Sequence, residues 1–91
     1  MTRKEYMEIG IMALNIICHE GNKKNRKSKT GINLTQATRN WLYRRNLWSY
    51  HNTAREAVTL FGVDVMHDNH IPNVDPVSQI KLKALRVKYA D

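Results

Sequence analysis

The chain has 91 residues, 15 Lys and Arg against 8 Asp and Glu, one cysteine and a formal net charge of +7. That length holds one domain spanning residues 1–91 and excludes a two-domain enzyme or a TIM barrel, which takes roughly 250 residues. A lone cysteine excludes an internal disulfide framework and makes a reducing, cytoplasmic setting the expectation, while 42% hydrophobic and 25% charged residues are the composition of a globular protein, not of a disordered chain.

Thr2-Arg3-Lys4-Glu5 has the spacing of a capping box, in which the Thr hydroxyl and the Glu carboxylate satisfy each other's free backbone N–H groups. Helical periodicity then runs to about Glu20, with Gly21 placed as the C′ stop. Between Ile9 and Cys18 only Gly10 and Asn15 are not apolar. The run is about half the length of a membrane span, so no span is expected. Arg3 and Lys4 are followed by Glu5 and Glu8, which interrupt the start of any signal-peptide apolar region. A helix apolar nearly all round sits at the centre of its bundle or in an oligomer interface, and a homodimer through this first helix is one arrangement it fits.

Residues 21–31, GNKKNRKSKTG, hold five cations and no apolar side chain. They read as a flexible basic loop between the first two helices. Asn33 stands as the expected N-cap of the next helix, with Gln36 at the capping-box position. Leu34, Ala37, Trp41 and Trp48 share one face if the helix is continuous, and Arg39 and Tyr43 point away from it. Ser49 is a second cap candidate. Ala54, Ala57, Val58 and Phe61 continue the helical spacing and Gly62 marks a stop. With no Gly or Pro between Ile32 and Phe61, residues 34–61 fit one long helix or two; two would resemble in outline a helix-turn-helix, although the turn lacks the usual glycine. Val63–Val74 reads as an irregular connection. Asp75-Pro76 is a strong helix start, and Val77, Ile80, Ala84 and Val87 follow at heptad spacing, in competition with a strand reading from the alternation Ile80-Lys81-Leu82-Lys83. The expected fold is mainly α, a small single-domain bundle of about four helices.

Charge is the strongest functional signal. Residues 21–55 carry nine Lys and Arg and no acid, whereas residues 56–75 carry four acids and no Lys or Arg. Like charges packed together oppose compaction, and a polyanionic partner offsets that cost. The same stretch interleaves Trp41, Tyr43, Trp48 and Tyr50 with its arginines, the combination that suits base stacking and phosphate contact. The expectation is a nucleic-acid-binding protein, weakly specific for DNA or RNA, with Lys23, Lys24, Arg26, Lys27 and Lys29 as a phosphate-clasping arm and Arg39, Tyr43, Arg44 and Arg55 as the structured part of the surface. Lys81, Lys83, Arg86 and Lys88 would add a second patch. The competing reading is a protein-binding regulator or inhibitor, of the small accessory kind that phages encode, using the apolar first helix and the basic surface on an acidic protein.

Catalytic patterns are weak. His67 and His70 have metal-compatible spacing, but a zinc site needs three or four ligands and no cysteine is near in sequence. Cys18 lies on an apolar stripe, where a thiol is usually inert. There is no phosphate-binding glycine loop and no nucleophile motif. Neither an enzyme nor a cofactor or metal site is expected.

Overall fold

The computed structural model describes residues 1–18, 34–49 and 51–90. Among them are four helices and no strand: α1 (Arg3–Cys18), α2 (Gln36–Arg44), α3 (Ala54–His67) and α4 (Pro76–Tyr89). The mainly-α bundle expected from sequence is the fold observed.

Each visible helix start carries a hydrogen-bonded cap, because the first turn leaves N–H groups with no intrahelical acceptor. Thr2 and Glu5 form the full capping box: the Glu5 N–H donates to Thr2 Oγ1 at 3.2 Å and the Thr2 N–H donates to Glu5 Oε1 at 3.1 Å. Thr35 caps α2, accepting from the Thr38 N–H at 3.3 Å. The helix therefore begins two residues later than an Asn33 cap would have it; Asn33 itself lies outside the described residues. Thr53, not Ser49, caps α3 by accepting from the Glu56 N–H, while the Ser49 N–H donates to Asn52 Oδ1 in the preceding turn. Asp75 caps α4 through the Ser78 N–H, with Pro76 at the first helical position.

The stretch 34–61 is two helices. Asn46 ends α2 in the left-handed region, at φ 61°. The Asn46 N–H donates to the Tyr43 carbonyl and the Leu47 N–H reaches back to the Leu42 carbonyl, both at 3.0 Å. This pair of bonds is a Schellman stop, and Asn is the residue other than Gly that best tolerates its conformation. Asn73, at φ 63°, follows Pro72 in the connection to α4, the residue order of a tight turn.

Gly62 is not a stop. It lies inside α3, which continues to His67 and so shortens the irregular connection to residues 68–75. Gly62 and Gly10 mark where α1 and α3 touch backbone to backbone: a Cβ on Gly10 would fall 2.1 Å from the Val58 carbonyl oxygen, and one on Gly62 only 1.9 Å from that of Tyr6. Around this crossing gather Ile9, Ala13, Leu14, Leu34, Leu42, Ala57, Val58, Phe61, Val65, Ile71, Leu82 and Leu85. The apolar run of α1 supplies this core, so the face proposed for a dimer is largely occupied within the chain. On α2 the buried positions are Thr38 and Leu42, and Ala37 is exposed.

The orientation of α4 departs most from the sequence pattern. Its buried residues are Ser78, Leu82 and Leu85, whereas Val77, Ile80 and Val87 are 60%, 69% and 70% exposed. Polar ties fix this choice. Arg86 Nε donates to the Val65 carbonyl, one of the acceptors left over at the end of α3. The Gln79 side-chain amide donates to the Ile71 carbonyl and its oxygen accepts from the Ile71 N–H. Tyr89 Oη reaches Met12 Sδ at 3.9 Å.

Candidate functional site

The structured cations of residues 34–55 separate into groups. Arg39 and Tyr43 stand one turn apart on α2, so their side chains lie on one face. The Schellman stop at Asn46 turns the chain back, and Trp48 arrives beside them. The Tyr43 and Trp48 rings stack at 5.5 Å with planes 14° apart, and the Arg39 guanidinium carbon is 5.4 Å from the Trp48 ring centroid. Tyr43 remains 47% exposed and Arg39 is exposed. The result is a cation-flanked aromatic platform open to solvent.

The sequence pattern put Trp48 on the core stripe, and it does pack half-buried against the core, but the pattern missed its part in this platform. A continuous helix would keep Trp48 on the face away from Tyr43 and Arg39, and that phase is lost at the left-handed Asn46. Trp41, on the same expected stripe, also meets the core: it packs edge-on against Phe61 at 5.0 Å.

Arg44 opens onto a separate cleft of about 220 Å³ lined with Trp41, Arg45, Pro72 and Asn73. Arg45 is the one member of the nine-cation run with a carboxylate partner among the described residues: its Nη2 donates to Asp64 Oδ2 at 3.2 Å. The guanidinium also lies 5.2 Å from the Trp41 centroid, and its buried Nε has no hydrogen-bond acceptor among the described residues. Arg45 thus ties the end of α2 to α3, and its charge is largely spent inside the fold.

Arg55, in the first turn of α3, shares a depression with Arg3, Lys4, Met7, Glu56 and Thr59, so its cationic neighbours come from α1 and not from α2. Lys23, Lys24, Arg26, Lys27 and Lys29, the proposed arm, lie outside the described residues. Arg86, counted from sequence as part of a second basic patch, is instead turned against the C-terminus of α3. Burial depresses its basicity, partly offset by the field of Asp68.

His67 closes α3 and pairs with Tyr6, whose Oη lies 3.2 Å from His67 Nε2. Among the described residues no three His, Cys, Asp or Glu side chains converge as a metal would require. No described helix is long and apolar enough to cross a membrane. The connection between α2 and α3 takes residues 45–53, longer than the short turn of a helix-turn-helix, and α3 has the most buried residues of the described helices, which leaves it poorly placed as a recognition helix.

The chain matches no protein-family model, no curated protein and no solved structure.

Proposed function

We propose that this protein binds nucleic acid with weak sequence preference, taking unpaired bases on the Arg39–Tyr43–Trp48 platform and phosphates on the cations around it. The observation that carries this reading is the platform itself: a half-exposed ring stacked on a second ring, next to a guanidinium that no carboxylate contacts among the described residues, within 35 residues that contain no acid. Stacking on an aromatic face tolerates any base, and a guanidinium beside it adds cation–π and phosphate contact. The five cations of residues 21–31 precede α2 directly in sequence and would extend the same footprint. Unpaired strands fit better than duplex, because rings cannot reach bases already stacked in a helix.

The test is fluorescence anisotropy with labelled single-stranded DNA, single-stranded RNA and duplex DNA, at low and at physiological salt. The expected result is tighter binding of the single strands, weakening by about 0.7 in log K per decade of salt for each phosphate neutralised. No binding at low salt, or binding indifferent to salt, overturns the reading.

A further inference from the structure

The exposed side of α4 suits a partner that the platform does not. Val77, Ile80, Ala84 and Val87 recur at intervals of three, four and three residues and all face solvent. In heptad terms they are successive a and d positions. The residues beside them are Lys81 and Lys88 at e and Lys83 at g, all exposed. The opposite side of the same helix, Ser78, Leu82 and Leu85, is already in the core, so α4 cannot bury the Val/Ile stripe without withdrawing its leucines. Among the described residues no carboxylate pairs with any of the three lysines.

From this arrangement we infer that the outer face of α4 is a docking seam for an acidic amphipathic helix of another protein, with aliphatic residues at a and d and Glu or Asp at e and g. This is independent of the nucleic-acid reading, which uses a different helix. The aliphatic stripe gives the seam its affinity, and the lysines on both sides set the sign of what it accepts. A second copy of this chain would set lysine against lysine along the seam. The chain's own residues 19–33 bring five further cations and a single acid, Glu20, and are equally mismatched. Nucleic acid would satisfy the lysines and leave the stripe in water. The seam spans two heptads, about 21 Å of helix, so the contact is short and its affinity modest.

The test uses the full-length protein and labelled synthetic peptides of two to three heptads. One has Ile and Leu at a and d with Glu at e and g. Its controls carry Lys at e and g, or keep Glu but carry Ser at a and d. The Glu peptide should bind and both controls should not. Ile80→Ser should weaken binding roughly tenfold, since the side chain it removes is buried only in the complex, with the melting temperature of the free protein unchanged. Lys81→Glu with Lys88→Glu should lose the Glu peptide and gain the Lys peptide, an exchange that mere damage to the fold cannot produce. Equal binding of all three peptides overturns the proposal. So does binding of none, a dimer in sedimentation that Ile80→Ser dissociates, or Ile80-dependent adsorption to phosphatidylserine vesicles.

Discussion

Single residues decide where the helices stop and how closely they approach. Asn46 holds a conformation that costs most L-residues about 1–2 kcal/mol. Asn46→Ala should therefore lower stability by about 1 kcal/mol in urea unfolding, and Asn46→Gly should not. At Gly62 two effects compete. Alanine gains roughly 1 kcal/mol of helix propensity, but its Cβ would lie 1.9 Å from a backbone oxygen of α1, which cannot rotate aside as a side chain can. Overpacking of this kind costs about 3 kcal/mol or more, so Gly62→Ala should be strongly destabilising by the same measurement. Asp75 and Glu5 are capping carboxylates whose pKa values are held below the usual range, Asp75 by hydrogen bonds from Ser78 and Glu5 by those from Thr2. A lowered native pKa means that their stabilisation is complete above the unfolded-state value, about 4, and is lost as pH falls through the native value. Melting temperatures of the protein and of Asp75→Ala should differ at pH 7 and converge in acid.

At the scale of elements, α2 and α4 are each held by contacts that hydrophobic periodicity does not describe. The Schellman stop returns the chain so that Trp48 meets Tyr43, and the platform exists only because α2 ends where it does. Tyr43→Ala should cost about 1–3 kcal/mol of single-strand binding, the range for base–aromatic stacking, with little loss of stability because the ring is half exposed. Arg45→Ala, by contrast, should act mainly on stability, since that guanidinium is engaged with Asp64 and Trp41. For α4, Gln79 replaces a backbone ladder: its amide satisfies both the N–H and the carbonyl of buried Ile71. Gln79→Ala leaves two backbone groups without partners and should cost about 2–3 kcal/mol, measured by denaturant unfolding.

For the whole molecule, the charge map and the fold divide the labour. Asp64 neutralises Arg45 within the fold, while Arg39, Arg44, Arg55, Lys81, Lys83 and Lys88 stay exposed. These cations spread over three helices, so residues adjacent in sequence do not form one continuous patch. The aromatic platform on α2 and the lysine-edged aliphatic seam on α4 are chemically distinct. The two proposals assign them to different partners, the platform to a polyanion and the seam to an acidic helix.

Residue order and spacing were enough for the helical class, the capping box at Thr2–Glu5, the start of α4 at Asp75-Pro76, the surface position of Tyr43 and the concentration of cations in the acid-free middle. These are local matters: a cap needs only residues three apart, and net charge needs no coordinates. Packing between elements settled which apolar stripe of α4 meets the core, that Gly62 serves a helix crossing with Gly10 and not a helix end, that Trp48 joins Tyr43, and that Arg86 turns inward. None of these could be read from spacing, because periodicity reports that a face is apolar but not which neighbour covers it. A glycine reads the same whether it frees a dihedral angle or makes room for another backbone.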